Sequence, residues 1–407
     1  MYLPRTLETA VRSASDQFPV VLVTGPRQVG KTTLLRHVAE PGRRYVTLDD
    51  VAVRALANDD PALFLDRFPP PLLIDEIQYA PNLLPAIKRS ADGSRRTGRF
   101  WLTGSQQFRL MKGVTESLAG RVAILNLLGF SVREREKRDA PKEPFLPVRE
   151  RIDERAASAA ATTMRGVFRE IWRGSFPALL AGPARDRDLF YGSYLQTYLL
   201  RDVRDLAQVG DQEAFLRFLR ACAARTGQIL NCAALARDVD VSVKTAQHWL
   251  SILTASFQVA LLPSYHTNVT KRLVKAPKLY FLDTGLAAYL TEWSSPETLA
   301  AGAMSGAMFE THVFTEVLKS WWHRMRTPQL YYYRDRDGRE IDLLFVQDRK
   351  LHPLETKLGA TPKTEWIRHF PVLSALKTPV GGGGVVCLCR ERLPLSSAAE
   401  AIPAGLL

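Results

Sequence analysis

The sequence predicts an α/β chain: a mostly parallel sheet, then a helical middle, then strands again. Three observations carry this. Between residues 18 and 130, short apolar runs alternate with helical patterns. From about Arg138 the alternation gives way to charged, proline-marked and alanine-rich sequence. Beyond Trp322, strand-like runs return and continue toward the end.

The elements follow in order. "FPVVLVTG" is a buried strand ending in glycine, and "KTTLLRHVAE" continues as a helix. "RRYVTLDD" is a second strand and "DPALFLDRF" a helix. "PPLLIDEIQ", "GRFWLTGS" and "RVAILNLLGF" are further strands, separated by the helices "LLPAIKRSAD" and "QQFRLMKGVTESLAG". Apolar strands alternating with helices make a parallel sheet covered on both faces. "KRDAPKEPFLPVRERIDERAASAAATT" reads as a linker running into helices, with 165–206 all-helical around the turn "RGSFP". Several short helices fill 213–263. "GAMSGAMFETHVFTEVLKSWW" is a helix, "LYYYRD", "EIDLLFV" and "LHPLETK" are strands, and "GGGGVVCLCR" is a glycine turn into a last strand.

Composition narrows the classes. A chain of 407 residues exceeds one ordinary core, so two or three domains are expected. Hydrophobic residues at 46% and charged residues at 24% fit a soluble globular chain. No apolar run reaches the roughly 18–20 residues of a membrane span, so no membrane partner is expected. The N-terminal stretch "MYLPRTLETAVRSASDQFP" lacks an apolar signal core, and a cytoplasmic location is expected. Cys222, Cys232, Cys387 and Cys389 are too few and too irregularly spaced for a disulfide framework or a zinc site. Cys387 and Cys389 alternate along an apolar stretch, which packs them on one face. The net charge of +13 has two readings: attraction to nucleic acid, or an arginine-rich genome composition.

"GPRQVGKTT" follows the first strand and opens a helix. It fits G-x-x-x-x-G-K followed by Ser or Thr, with Gly25, Gly30, Lys31 and Thr32 at the fixed positions. Glycines let backbone N–H groups curl around phosphate oxygens, and the helix N-terminus adds its positive end. The loop Gly25, Pro26, Arg27, Gln28, Val29 and Gly30, with Lys31, Thr32 and Thr33, is the expected nucleotide cradle. Lys31 reaches the β- and γ-phosphates, and Thr32 ligates Mg²⁺. "PLLIDEIQ" puts Asp75 and Glu76 at the C-terminal end of a strand, where ligands sit in open α/β sheets. Asp75 is expected to hold Mg²⁺ and Glu76 to activate the attacking water. Thr103 and Ser105 in "LTGS" either hold that water or, for Ser105, cap a helix. Arg121 in "SLAGRV" is either an arginine finger, acting from a neighbouring subunit, or a member of a surface ion pair.

These motifs, with "WRGSFPALL", "YLQTYLLRDVRDL", "RTGQILN", "KRLVKAPKLYFLDTGLAAYL" and "GREIDLLF" followed by "LETK", resemble a large group of prokaryotic AAA-type P-loop ATPases with a C-terminal domain of unknown function. The resemblance covers most of the chain. It implies ATP binding, a winged-helix segment and a restriction-nuclease-like fold. The expected architecture is a P-loop AAA-type parallel sheet, then a helical and winged-helix segment, then an α/β restriction-nuclease-like domain. The expected boundaries are 1–138 for the ATPase, 139–210 for linker and helices, 211–265 for the winged helix, and 266–407 for connector and nuclease-like domain.

The residues of the middle give the same order. "CAALARDV" is a helix, Ser242 caps "VKTAQHWLSILTAS", and "FQVALLPSY" is a strand. Ala246, Trp249, Leu250 and Leu253 share one face, leaving Lys244, Thr245, Gln247 and His248 outward. DNA contact and a structural spacer are both open readings of that face. Lys271, Arg272, Lys275 and Lys278 are read as phosphate contacts or as a solvated loop. Tyr265 and Tyr280 nearby fit a core equally well.

The last candidate centre lies in "GREIDLLFVQDRKLHPLETK". Nuclease chemistry of this type needs a carboxylate on one strand and E-x-K on the next. Asp342 and Glu355 are expected to converge on one divalent cation, with Glu310 from a preceding helix as a further ligand; a structural hairpin with surface charge is the other open reading. Lys357 shares a strand face with Glu355 and positions the nucleophile. Glu340 shares the face of Asp342. No serine or cysteine motif with a histidine partner is recognisable. The expected function is an ATPase that uses ATP and Mg²⁺, coupled to a DNA-binding C-terminal domain; whether that domain cleaves DNA, and whether the chain forms a homo-oligomer, stay open. The alternative is an ATP-controlled protein-interaction switch whose nuclease-like domain docks without cleaving.

Overall fold

The computed structural model describes residues 2–105, 114, 116–157, 163–182, 184–199, 211–268 and 275–407. It divides into two compact units. The first comprises Met1–Phe130 with Ala255–Phe257 and Trp322–Arg326. The second comprises Ser131–Thr254, Gln258–Trp321 and Thr327–Leu407.

In the first unit, β1 (Val20–Thr24), β2 (Arg44–Thr47), β3 (Leu72–Asp75), β4 (Phe100–Gly104) and β5 (Val122–Asn126) form one sheet. Its order is β2-β3-β4-β1-β5, with every pairing parallel. Because the strands run the same way, the ends of β1, β3 and β4 gather at one edge. Val20, Leu22, Ile74, Phe100 and Leu102 from the strands are wholly buried, and Leu83 and Ile87 pack against them. The helices are α1 (Leu7–Gln17), α2 (Lys31–Val38), α3 (Val51–Asp59), α4 (Pro61–Arg67) and α5 (Leu83–Asp92). The sequence reading has the five strands but lacks α1 and α3. In α3 the apolar pattern misleads, since only Ala57 is buried and Val51 is 67% exposed. Its start is fixed instead by Asp50, whose side chain accepts from Ala52 N and Val53 N. Most of the helix expected over 106–120 lies outside the described residues; Val114, Glu116 and Ser117 are helical.

The second unit holds two sheets. The smaller has β6 (Gln228–Ile229), β7 (Val259–Leu262) and β8 (Lys278–Phe281) in the antiparallel order β6-β8-β7. Helix Gln212–Ala223 precedes β6, and helices Cys232–Asp238 and Val243–Ala255 lie between β6 and β7. Ser242 Oγ accepts from Thr245 N at 3.0 Å, the cap expected there. Ala246, Trp249, Leu250 and Leu253 are buried, with Trp249 set edge-on against Phe215 and Phe218. Lys244, Gln247 and His248 are exposed and Thr245 is half-buried. The sequence pattern does not mark β8, because its first residue is a lysine.

The larger sheet contains β9 (Leu330–Arg334), β10 (Glu340–Gln347), β11 (Lys350–Lys357), β12 (Gly383–Cys387), β13 (Leu393–Pro394) and β14 (Ala399–Pro403). Its order is β13-β14-β12-β11-β10-β9. The three strands expected before the glycine turn are present as β9, β10 and β11. β12 is not the last strand, as the sequence reading had it: β13 and β14 follow, too short and proline-marked to show alternation. Cys387 and Cys389 pack together with Ala401, as their spacing requires. The two sheets are tied by Tyr265 N donating to Tyr332 O at 2.6 Å and Tyr332 N donating to Pro263 O at 3.0 Å. Of the helical middle, residues 200–206 lie outside the described part; Met164–Arg173, Pro177–Leu180 and Arg187–Tyr194 are α-helical.

Candidate functional site

The first centre lies where β1, β3 and β4 end. Gly25 sits at φ +147°, and a Cβ there would lie 2.0 Å from Leu127 O, so only glycine fits. Gly30 caps α2 at φ 89°, and Gln28 also has positive φ. Pro26 and Val29 are buried, Arg27 is half-buried, and Gln28 and Thr33 are exposed. Lys31 is buried, and its Nζ donates to Pro26 O at 2.7 Å and Gly25 O at 3.1 Å. The loop is braced by Arg5, which donates to Val29 O at 3.1 Å and Leu128 O at 2.7 Å and lies over the Phe130 ring.

Thr32 Oγ1 donates to Asp75 Oδ1 at 2.6 Å, and Thr103 Oγ1 donates to the same oxygen at 2.5 Å. Thr32 and Asp75 offer hard oxygen donors side by side, a set that fits Mg²⁺. Glu76 follows in the left-handed region, at φ 58° and ψ 48°, with its N–H donating to Thr103 Oγ1 at 3.0 Å. Gln78 Nε2 donates to Glu76 Oε2, and Ser105 Oγ donates to the same oxygen at 3.3 Å. Ser105 therefore faces Glu76, while any helix it caps begins outside the described residues. Tyr45, Gln78 and Arg5 were missed in the sequence. Tyr45 OH donates to Asp75 Oδ2 at 3.2 Å, and burial together with Asp75 raises its pKa. Gln78 was legible, two residues after Glu76 in "DEIQ"; Tyr45 shows only once β2 is known to pair with β3.

Arg121 stands apart from these groups in the described geometry. Its Nε and Nη2 donate to Asp92 Oδ1 at 2.5 Å and Oδ2 at 3.1 Å, and Nη1 donates to Ala119 O at 2.8 Å. Within one chain this is the surface ion pair.

The second centre lies on β10, β11, β8 and the helix Ser305–Trp322. β10 and β11 pair Leu343 with Leu354, so Asp342 and Glu355 flank that pair on neighbouring strands. Both are buried. Asp342 Oδ2 accepts from Thr356 N and Oγ1, each at 2.9 Å. Lys357 Nζ is 2.6 Å from Glu355 Oε2 and 3.9 Å from Asp342 Oδ2. Burial and the Asp342 charge push Glu355 up to about 8, against the pull of Lys357. Burial pushes Asp342 up as well, yet Lys278 and Lys357 outweigh it and hold it below the usual carboxylate range. Glu310 is pushed up to about 7 by burial and Asp342.

Among the described residues, no group of three His, Cys, Asp or Glu side chains is arranged to hold a metal ion. Glu310 Oε1 accepts from Tyr280 OH at 2.5 Å and from Lys278 Nζ at 3.0 Å. Lys278 is neither a phosphate contact nor solvated, being only 2% exposed. The oxygen pair Asp342 and Glu355 still suits a hard divalent ion. Lys275 Nζ donates to Arg334 O at 3.3 Å, and Lys271 and Arg272 lie outside the described residues. Tyr265 and Tyr280 are both buried.

Residues 17–136 match an AAA domain family. Residues 164–297 match a domain of unknown function (DUF8612), and 305–407 match another (DUF4143). The uncharacterised proteins Rv2008c of Mycobacterium tuberculosis and Mb2031c of Mycobacterium bovis are each 30% identical over 403 residues, spanning 98% of this chain and 83% of theirs. Among solved structures, a Walker-type ATPase of Pyrococcus abyssi is 17% identical with a TM-score of 0.38, over 70% of this chain and 94% of that one. A variant of Thermotoga maritima RuvB is 18% identical with a TM-score of 0.25, over 63% of this chain and 86% of that one. No helix among the described residues is long and apolar enough to cross a membrane. The chain belongs to the family of these uncharacterised mycobacterial proteins, with an ATP-binding, AAA-type P-loop domain followed by two domains of unknown function.

Proposed function

We propose that the chain hydrolyses ATP and couples turnover to a nuclease-like C-terminal domain that acts on DNA. The observation that carries the first half is the convergence of Thr32, Asp75 and Glu76 beside the glycine loop. Lys31 turns from the loop carbonyls to the β- and γ-phosphates. Thr32 and Asp75 would hold Mg²⁺, which would neutralise charge on the phosphates. Glu76 accepts a proton from the attacking water, while Gln78 and Ser105 fix its carboxylate. Arg121 of a second copy leaves Asp92 and supplies positive charge at the γ-phosphate, which makes the active form a homo-oligomer. The test is release of phosphate from ATP by the full chain. Turnover lost in Lys31→Ala and Glu76→Gln supports the reading, and turnover untouched in either sinks that residue's role.

The second half rests on Asp342, Glu355 and Lys357 meeting across β10 and β11. Asp342 and Glu355 would hold a divalent ion, which would supply an acidified water and stabilise phosphate charge. Lys357 positions the water. The segment 211–265 acts as a winged helix, with Lys244, Gln247 and His248 toward DNA, and 266–407 forms the connector and nuclease-like domain. The ATPase spans 1–138 and 139–210 links the two. The competing reading, a protein-interaction switch with a non-cleaving docking domain, draws on the two lysines already paired with these carboxylates. DNA incubated with the full chain, Mn²⁺ and ATP separates them. Fragments from wild type but not from Asp342→Ala or Lys357→Ala support cleavage; intact DNA throughout, with turning-over ATPase, favours the switch. In the cleaving case Lys357→Ala keeps its Mn²⁺ and Asp342→Ala loses it.

A further inference from the structure

Lys278 opens β8, where its backbone pairs with Leu262 on one side and Ile229 on the other. The whole strand is buried. Its ammonium group therefore cannot reach water and points instead among carboxylates from two other elements. Nζ lies 2.7 Å from Glu340 Oε1, 3.0 Å from Glu310 Oε1 and 3.7 Å from Asp342 Oδ1. Burial opposes its charge, but Glu310, Asp342 and Glu340 outweigh that and hold its pKa above the ordinary value. Tyr280, two residues on and on the same strand face, donates to Glu310 as well.

A buried cation within hydrogen-bond reach of two carboxylates, and close to a third, occupies the place that a bridging metal ion needs. A divalent ion bound to those same oxygens would sit a few ångströms from a fixed ammonium, in a medium that screens poorly. We infer that Lys278 is the resident cation of the C-terminal centre, holding Glu310, Glu340 and Asp342 and barring a divalent ion from bridging them. One divalent ion at most is then admitted, on the Asp342–Glu355 side; only this last point rests on the divalent-ion reading proposed above. The small sheet thus delivers a charge into a centre built by the large sheet.

The test counts Mn²⁺ bound by the full chain without nucleotide, by electron paramagnetic resonance of the free ion. All samples carry Asp75→Asn, so the nucleotide centre contributes none. Adding Lys278→Met should raise the count by one per chain, and Mn²⁺ should raise the Tm of that variant more than that of its parent. An unchanged count overturns the inference. A count of zero in the parent and one in the variant upholds Lys278 and sinks the divalent-ion reading. One in both does the reverse. Lys278→Arg keeps a cation in place and should keep the parent's count; a gained ion there counts against the inference. If Lys278→Met does not fold, Lys278→Gln repeats the test. If neither folds, refolding in Mn²⁺ decides: recovery of the native circular dichroism supports a cation requirement at this position, and no recovery overturns it.

Discussion

Thr32 Oγ1 stands 2.6 Å from Asp75 Oδ1, joining the first turn of α2 to the end of β3. The contact brings together two residues 43 positions apart, and it depends on the parallel sheet that sets both strand ends on one edge. Both oxygens are hard donors, and the glycine loop lies directly before Thr32. The consequences are local and measurable.

Lys31→Ala removes the loop ammonium that now rests on the carbonyls of Gly25 and Pro26. A charge-assisted hydrogen bond contributes about 1.5–3 kcal/mol, so ATP affinity should fall by roughly tenfold or more. Titration with a fluorescent ATP analogue checks this. Unchanged affinity would remove Lys31 from the phosphate site.

Glu76→Gln keeps the shape and the hydrogen-bonding reach toward Gln78 and Ser105 but removes the carboxylate proposed as the base. ATP should still bind, with turnover lowered by roughly 10²–10⁴-fold, the ordinary worth of a general base. Phosphate release under saturating ATP reads the difference. Equal turnover would give Glu76 another task.

Arg121→Ala and Lys31→Ala proteins, each inactive alone, should recover part of the activity when mixed, because one composite site is then intact. The Arg121–Asp92 pair is exposed and costs little to break. Full wild-type activity at high dilution, where only single chains remain, would contradict an arginine acting between subunits.

His352 is buried, its Nδ1–H donates to Gly382 O at 2.9 Å, and its ring fills the space beside Gly381. Burial lowers its pKa; Lys350 adds to this, while the Gly382 bond and Asp348 oppose it. The unfolded chain takes up this proton near pH 6.5 and the folded chain only at lower pH. The stability it contributes is thus present above that value and lost as pH falls below it, at no more than about 1.4 kcal/mol per pH unit. Urea midpoints between pH 7 and 5 should drop less steeply in His352→Gln than in wild type. Parallel slopes would assign the acid sensitivity to other groups.

Much of the ATPase unit was legible because its signals are local. Five apolar runs ending in turns give five strands, and "GPRQVGKTT" and "LLIDEIQ" identify their own residues. Tyr45 and Arg5 were not legible, since each acts through a partner that only the tertiary fold brings near: Asp75 for Tyr45, and Val29 and Leu128 for Arg5. In the second unit, E-x-K and Asp342 could be read from alternation. Lys278 could not, because a lysine among other basic residues looks solvated until its strand is seen to be buried. For the same reason the hydrogen bonds of Glu310 to Lys278 and Tyr280 were not legible.

The backbone of Glu76 bears on how this protein can be engineered. A side chain held at φ 58° costs roughly 1–2 kcal/mol relative to the right-handed region, and Asn tolerates that conformation better than Glu. A laboratory selection for heat resistance alone should therefore enrich Glu76→Asn and discard the carboxylate proposed to activate water at its present reach. A library screened for turnover as well should keep Glu76 and find its thermal gains elsewhere. The two enrichment profiles, compared at this single codon, would show which demand the residue answers to.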